Sequence, residues 1–149
     1  MDTKKLEQKI NNNRKMIKVG FIGAGDIAYL HGEGVSQSES AELTGIWNRT
    51  LSKAEEKAKL FNCQVFKSPE ELIAAVDVVY ILTNMETHHT YAKLAIEAGK
   101  NVLVEKPLSL SIKEVKILES LAKKNKVLLF VDYPFLFSGS VKYVKKLID

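Results

Sequence analysis

The stretch Ile17–Leu30 reads Ile-Lys-Val-Gly-Phe-Ile-Gly-Ala-Gly-Asp-Ile-Ala-Tyr-Leu, and the rest of the chain can be placed around it. Its first half is mostly apolar and β-prone, which predicts a buried parallel strand. Its second half contains Gly23–Ala28, which has the G-x-G-x-x-A form of the dinucleotide fingerprint. In this motif Gly23 permits a tight turn, Gly25 lets the main chain approach a pyrophosphate, and Ala28 lets the next helix pack closely on the strand.

The ligand contacts predicted for this turn are made mainly by the backbone, because a pyrophosphate would bind unpaired N–H groups at the start of the helix. Glycine-rich turns also occur without ligands, so the prediction depends on the strand before the motif and the helix after it. The residues predicted to contact a nucleotide here are Gly23, Ala24, Gly25, Asp26 and Ile27.

Length and composition predict one soluble globular domain. The chain has 149 residues, 46% of them hydrophobic and 27% charged, which excludes disorder over its whole length. The formal net charge of +4 comes from lysines scattered over helices, so no nucleic-acid partner is expected. No apolar run approaches the about 20 residues of a membrane helix, and the single cysteine, Cys63, suits a reducing compartment. We therefore expect a cytoplasmic protein that has no membrane partner.

Strands and helices alternate along the chain, which is typical of an α/β fold with a doubly wound, mostly parallel sheet between two layers of helices. The carboxyl ends of such strands meet at one crevice, where ligands bind. Residues 1–15, which are charged and lack an apolar period, are expected to form a flexible extension or a short frayed helix. The predicted strands are 17–22, 41–48, 64–66, 77–82, 101–104 and 127–131.

The second predicted strand ends without the acidic residue that binds the ribose hydroxyls in NAD-binding domains. It ends instead in Asn48, whose amide can donate and accept, then Arg49, whose guanidinium suits a 2′-phosphate, and Thr50, which adds a hydroxyl. Since no carboxylate would repel that phosphate, the sequence favours NADP over NAD. The alternative is that Arg49 is a solvated loop residue and that Thr50 or Ser52 caps the next helix.

The fifth predicted strand ends in Glu105-Lys106-Pro107, at the predicted crevice. Glu105 can accept hydrogen bonds from sugar or ribose hydroxyls, and a partly desolvated Lys106 beside it can hold a substrate hydroxyl and pass a proton. The alternative is a surface ion pair of little energetic value. His88 and His89 are adjacent and cannot share one helix face, so no metal site is expected, and His88 could simply order the loop before it.

These motifs together resemble the amino-terminal domain of the Gfo/Idh/MocA oxidoreductases, the glucose-fructose oxidoreductase and inositol dehydrogenase family. The resemblance covers essentially all of residues 16–132. It implies hydride transfer between nicotinamide, as NADP or NAD, and a CH–OH carbon of a sugar, cyclitol or similar small molecule. The matching residues are 23–28, His31, 77–84, His88 and 98–107.

The resemblance also implies roles for individual residues. The lysine of the family's tripeptide lies near the reacting hydroxyl and the nicotinamide, which implies that Lys106 is catalytic, and its glutamate, here Glu105, holds the nicotinamide ribose. Thr83 and the following position line the nicotinamide side, and His88 helps to shape that wall. Asn84 departs from the family, which usually has proline there, so the backbone is less constrained at this position.

Residues 16–133 are thus predicted to form the cofactor-binding domain, and residues 134–149 to begin the connection to a substrate domain. In relatives, that second domain supplies the substrate floor, a further acid/base pair and the sheet through which homo-oligomers form. Here the chain stops within an amphipathic helix that has no evident place to bury its apolar face. We therefore expect this chain to bind nucleotide without competent turnover.

Two other functions compete with the oxidoreductase. A non-catalytic nucleotide sensor or regulatory protein with the same fold would fit the short chain. A methyltransferase-like Rossmann domain is disfavoured, because it would give the tripeptide at 105–107 no role.

Overall fold

A central strand, β1 (Ile17–Ile22), organises the sheet in the computed structural model, which describes residues 15–149. All five strand pairs are parallel, and the strand order is β3-β2-β1-β4-β5-β6. This confirms the predicted doubly wound sheet. The other strands are β2 (Ala41–Trp47), β3 (Gln64–Val65), β4 (Val78–Ile81), β5 (Asn101–Glu105) and β6 (Leu129–Asp132). The extension predicted for residues 1–15 lies, apart from Lys15, outside the described residues.

Helices follow the strands in the expected alternation, although element boundaries differ from the predicted ones by one or two residues. The helices are α1 (Ile27–Ser36), α2 (Leu51–Phe61), α3 (Pro69–Ala75), α4 (His88–Glu97), α5 (Ile112–Asn125) and α6 (Gly139–Ile148). The start of α3 matches its sequence signal, because Ser68 Oγ accepts a hydrogen bond from the Glu71 N–H at 3.1 Å. Helix α5 was not expected from the sequence; it buries Leu118 and Ala122, which lie four positions apart on one face.

The core consists of two apolar clusters, because successive residues of the central strands point to opposite faces of the sheet. Phe21 belongs to the cluster that includes residues of α1 and α2, whereas its neighbour Ile22 belongs to the cluster with residues of α3, α4 and α5. Both residues are fully buried. Burial also raises the pKa of the half-buried Cys63 thiol to about 11, so it stays protonated at neutral pH.

Helix α6 forms the amphipathic segment expected near the end of the chain, after a short 3₁₀ turn at Pro134–Phe137. Its apolar residues stay largely in water: Leu147 is 70% exposed and Ile148 is 79% exposed. Among the described residues, no helix is both long and apolar enough to cross a membrane.

The two glycines of α1 differ sharply in their surroundings, which gives a matched test of packing. A Cβ at the buried Gly32 would come 2.3 Å from the ring of Phe61, whereas a Cβ at the exposed Gly34 would meet no atom within 4 Å. We expect Gly32→Ala to lower the free energy of unfolding by about 1–3 kcal/mol through overpacking. Gly34→Ala should raise it by up to about 1 kcal/mol, because alanine is the better helix former.

Urea denaturation of the two variants measures both effects. Equal stabilisation by the two substitutions would contradict the packing of Phe61 on α1 described above.

Candidate functional site

The glycine turn after β1 is packed tightly on one side and open on the other. Gly23 has φ +116°, and a Cβ there would come 2.6 Å from the backbone carbon and oxygen of Leu82. The Gly23 N–H donates to the Trp47 carbonyl at 2.8 Å, which ties the turn to the end of β2. A Cβ at Gly25 meets nothing within 4 Å. The turn therefore presents bare backbone to the space outside the sheet.

The amino end of α1 lies at this open side, and no side chain caps it within the part of the chain that the structure describes. Asp26 occupies the N-cap position with helical dihedrals and makes no side-chain cap hydrogen bond. Ala28, in the first turn of this helix, is fully buried, as its place in the motif predicts. Free N–H groups and the helix dipole at this end favour an anion.

Two adjoining clefts form one groove along the carboxyl ends of the strands. The Arg49 cleft, of about 210 Å³, is lined by Gly23, Ala24, Gly25, Trp47, Asn48, Arg49, Thr50, Lys53, Leu82, Thr83, Asn84, Thr87 and Tyr91. The Lys106 cleft, of about 380 Å³, is lined by Ile27, Thr83, Asn84, Met85, Glu86, His88, Glu105 and Lys106. The two clefts share Thr83 and Asn84, so they adjoin at the loop after β4. Apart from Asp26, all the predicted site residues line it.

Asn48 holds the groove wall together rather than pointing freely into it. Its Oδ1 accepts from the Ala24 N–H at 3.1 Å, and its Nδ2 donates to the Thr50 carbonyl at 2.9 Å. One side chain thus links the glycine turn to the loop after β2. The bond to Ala24 is not visible in the sequence, because Ala24 and Asn48 are 24 positions apart.

Two cations line the Arg49 cleft. Arg49 is exposed at the end of β2, and Lys53 lies four positions further along, in the first turn of α2. Sequence analysis did not single out Lys53. Its spacing from Arg49 could have indicated it, because side chains four positions apart at the start of a helix lie on the same side. Thr50 is exposed and is the N-cap residue of α2, but its side chain makes no capping hydrogen bond.

Glu105 is engaged by residues from other elements. Its Oε1 lies 2.9 Å from His31 Nε2, and Asp132 Oδ2 lies 3.6 Å from the same nitrogen. Glu105 Oε2 accepts from the Lys106 backbone N–H at 3.1 Å. Beside this cluster, burial and the Asp132 charge raise the pKa of Tyr80. In the sequence, His31 was noted only among the residues that match the family. Its contact with Glu105 could not be predicted, because the two residues are 74 positions apart.

Within residues 15–149, one group of side chains has the spacing of possible metal ligands. It consists of His31, Glu105 and Asp132, each with one nitrogen or oxygen atom within 4.8 Å of the others. The hydrogen bond between His31 and Glu105 already explains how close these atoms are.

The environment of the Lys106 side chain differs from the one expected from the sequence. The side chain is exposed rather than partly desolvated, and within residues 15–149 it forms no ion pair with Glu105, whose carboxylate faces His31 instead. The ammonium group at the edge of the Lys106 cleft is therefore free to meet a ligand.

The loop after β4 is tied down at several points. Thr87 Oγ1 donates to Thr83 Oγ1 at 2.8 Å and lies 2.9 Å from the Asn84 carbonyl. His88 is 1% exposed, and its ring nitrogens lie 2.7 Å from the Pro107 carbonyl and 3.0 Å from the Thr83 carbonyl. Its ring thus lies between the end of β4 and the loop after β5, and its role at the nicotinamide wall stays a prediction.

The strand order and the glycine turn at the carboxyl ends of the strands define a Rossmann-type dinucleotide-binding domain. The chain belongs to the Gfo/Idh/MocA oxidoreductases: their family model, described as an oxidoreductase family with an NAD-binding Rossmann fold, matches residues 17–133. This confirms the family resemblance of the sequence.

Relatives with assigned activities are similar over most of this chain. Glucose-6-phosphate 3-dehydrogenase of Bacillus subtilis is 32% identical over 89% of this chain and 38% of its own length. Myo-inositol 2-dehydrogenase of Thermotoga maritima is 31% identical over 89% of this chain and 41% of its own. The chain therefore spans about two fifths of the length of these relatives.

A solved structure shows the same fold. KijD10, a 3-ketoreductase from Actinomadura kijaniata in complex with NADP and TDP-benzene, superposes with a TM-score of 0.86. It is 28% identical over 91% of this chain and 42% of its own.

The double hydrogen bond of Asn48 predicts a loss of both stability and nucleotide affinity in Asn48→Ala. The nearly buried Ala24 N–H would lose its acceptor, so we expect the free energy of unfolding to fall by about 1–3 kcal/mol. NADPH affinity should fall roughly five- to thirtyfold, because the glycine turn and the loop after β2 are no longer joined. Urea denaturation and calorimetric titration measure the two effects.

Asn101→Ala is the matched control. Asn101 Oδ1 accepts from the Leu128 N–H at 2.9 Å, but at the amino end of β5, away from the groove. This variant should lose stability and keep its nucleotide affinity; a similar affinity loss in both variants would refute a local role for Asn48.

Proposed function

We propose that this chain is the cofactor-binding part of an NAD(P)-dependent oxidoreductase, which moves a hydride between nicotinamide and a CH–OH carbon of a sugar, cyclitol or related small molecule. The observation that carries the proposal is the pair of adjoining clefts that lead from the glycine turn at Gly23–Gly25 to Lys106 and share Thr83 and Asn84. A two-part nucleotide needs such a groove, because its pyrophosphate and its nicotinamide bind at different strand ends.

The charges of the Arg49 cleft support NADP as the preferred cofactor. Arg49 can bind a 2′-phosphate with two parallel hydrogen bonds, and Lys53 adds a second positive charge in the same cleft. The last residues of β2 and the loop after it, Trp47-Asn48-Arg49-Thr50, include no carboxylate that would repel the phosphate.

The Lys106 cleft supports the chemistry proposed for the other end. The bound cofactor supplies the carbon that accepts or gives the hydride. Lys106 would hold the reacting hydroxyl and take its proton as the alcohol becomes a carbonyl, and Glu105 would accept hydrogen bonds from the nicotinamide ribose. Ligand in the cleft would cover the exposed ammonium of Lys106 and so supply the desolvation that the present conformation lacks.

We propose the same division of the chain as the sequence indicates, with residues 16–133 as the cofactor-binding domain and residues 134–149 as the start of a connection to a substrate domain. The exposed apolar face of α6 supports this division, because such a face is usually covered by another element.

A second candidate is a nucleotide sensor without redox activity. It is favoured by one observation, namely that His31 already occupies the carboxylate of Glu105, which the oxidoreductase would use for the ribose.

The charge of Arg49 predicts a selective loss of NADPH binding in Arg49→Gln. Removing a charge-assisted phosphate contact should weaken NADPH binding roughly tenfold or more and leave NADH binding unchanged. Trp47, the single tryptophan, lines the Arg49 cleft, so quenching of its fluorescence by the reduced nicotinamide reports binding directly.

Lys59→Gln removes an equal charge from the last turn of α2, the helix that follows Arg49, and serves as the control. Equal losses of NADH and NADPH affinity in Arg49→Gln would refute the phosphate contact. Failure of the unsubstituted chain to bind either nucleotide would refute the proposed function.

The catalytic role of Lys106 predicts a loss of turnover without a comparable loss of binding. Because the chain spans about two fifths of its relatives, turnover is measured in a chimera in which residues 17–133 replace the matching part of the Thermotoga maritima inositol dehydrogenase. Lys106→Ala should lower kcat for inositol roughly 10²- to 10⁴-fold, as expected for a lost proton relay, while NADPH affinity changes little.

Lys124→Ala, in the last turn of α5, is the control for a general effect of losing a lysine. A chimera whose turnover is unaffected by Lys106→Ala would contradict the assignment. A chimera that binds NADPH without any turnover, with or without Lys106, would favour the sensor.

A further inference from the structure

His31 is a histidine of α1 that reaches the Lys106 cleft only through another side chain. Its Nε2 lies 2.9 Å from Oε1 of Glu105, which is the last residue of β5. Glu105 lines the Lys106 cleft, whereas His31 does not. The two side chains are largely buried, at 12% and 13% exposure. Any effect of His31 on a ligand in that cleft therefore passes through the carboxylate of Glu105.

The direction of this hydrogen bond follows from the chemistry of the carboxylate. An ionised carboxylate can only accept, so the ring donates from Nε2. Nε2 carries a hydrogen in one neutral tautomer of the ring and also in its cation, so the bond is the same in both forms. Asp132, which is paired with Glu105 in the sheet, lies 3.6 Å from the same nitrogen, beyond hydrogen-bond distance. The N–H is therefore given to Glu105.

Aromatic packing fixes the orientation of the His31 ring. The ring lies edge-on to the rings of Phe21 on β1 and Tyr80 on β4, with centroid distances of 6.4 and 5.5 Å and interplanar angles of 77° and 81°. Phe21 and Tyr80 also stack on each other at 5.4 Å. Edge-to-face contacts of this kind favour a defined ring orientation. The sheet thus holds the imidazole with Nε2 directed at the end of β5.

We propose that His31 is a positioning residue, which holds the Glu105 carboxylate at the cleft with its free lone pairs available to the hydroxyls of the nicotinamide ribose. This rests on the proposed function, in which Glu105 binds that ribose. A carboxylate has about four lone-pair sites. His31 uses one on Oε1 and the Lys106 N–H uses one on Oε2, which leaves about two for the two hydroxyls of a ribose.

A second carboxylate makes this positioning necessary. Glu105 and Asp132 occupy paired positions on β5 and β6, where their like charges repel. The Nε2 hydrogen of His31 is close to both carboxylates, at nitrogen–oxygen distances of 2.9 and 3.6 Å. Without this donor the repulsion is uncompensated, and the Glu105 carboxylate turns away from Asp132. Binding a ribose would then require the carboxylate to be ordered again, which lowers affinity.

Two substitutions separate the donor from the packing of the ring. His31→Leu keeps an apolar side chain against the aromatic rings but has no donor, whereas the amide nitrogen in His31→Gln can occupy the place of Nε2 and donate. Leucine and glutamine are both good helix formers, so neither substitution should weaken α1. His89→Gln is the control, because His89 also faces a carboxylate, that of Glu114 on α5, at 3.9 Å.

The role in binding is tested by calorimetric titration with NADPH and with 2′,5′-ADP, the part of NADPH that lacks the nicotinamide and its ribose. His31→Leu should bind NADPH roughly tenfold more weakly than the unsubstituted chain and should bind 2′,5′-ADP equally well. His31→Gln and His89→Gln should stay within about threefold of the unsubstituted chain for both ligands. A general structural role would lower both affinities together.

Three results of this titration would overturn the proposal. They are an unchanged NADPH affinity in His31→Leu, an equal loss for both ligands in that variant, and a loss in His31→Gln as large as that in His31→Leu. The last result would assign the effect to the ring's packing rather than to its donor.

The position of the carboxylate is measured without a ligand by amide NMR. The Lys106 N–H donates to Glu105 Oε2 at 3.1 Å, so its signal reports on the carboxylate. This signal should move further in His31→Leu than in His31→Gln or His89→Gln, and equal movement in all three would refute the positioning. A selective movement in a chain that binds neither ligand would refute the proposed function and leave the positioning in place.

Discussion

The backbone contact between Gly23 and the end of β4 is the constraint on which the site depends. The turn can lie against Leu82 and Thr83 only because position 23 has no side chain and accepts a positive φ. This contact joins the glycine turn to the loop that both clefts share. The arrangement of the two clefts on either side of this loop therefore depends on one close approach between two neighbouring strands.

The sequence could predict the sheet because its determinants are local. Continuous apolar runs, a glycine turn and short alternating helices each act over a few residues, and the right-handed parallel crossover then restricts the topology. The carboxyl ends of the strands had to meet at one edge, so the approximate positions of Arg49, Thr83 and Lys106 could also be predicted.

The partners of the polar side chains could not be predicted, because they depend on which distant residues the fold brings together. Glu105 was expected beside Lys106 as an ion pair or a ribose ligand, yet its carboxylate faces His31, 74 positions away. Asn48 was expected beside the cofactor and does line the Arg49 cleft, but the sequence did not show that both ends of its amide bond to backbone groups. Residue type and position at a strand end indicate that a side chain lies near the groove, but they do not determine its hydrogen bonds.

Two histidines from different elements hold the tripeptide at 105–107 from its two ends. His31 on α1 contacts the carboxylate of Glu105, and His88 on α4 contacts the carbonyl of Pro107. Lys106 lies between these two fixed points, and its side chain is exposed. The proton relay that we propose for Lys106 needs this combination, because its backbone must be positioned to within a fraction of an ångström while its long side chain keeps the freedom to follow the reacting oxygen.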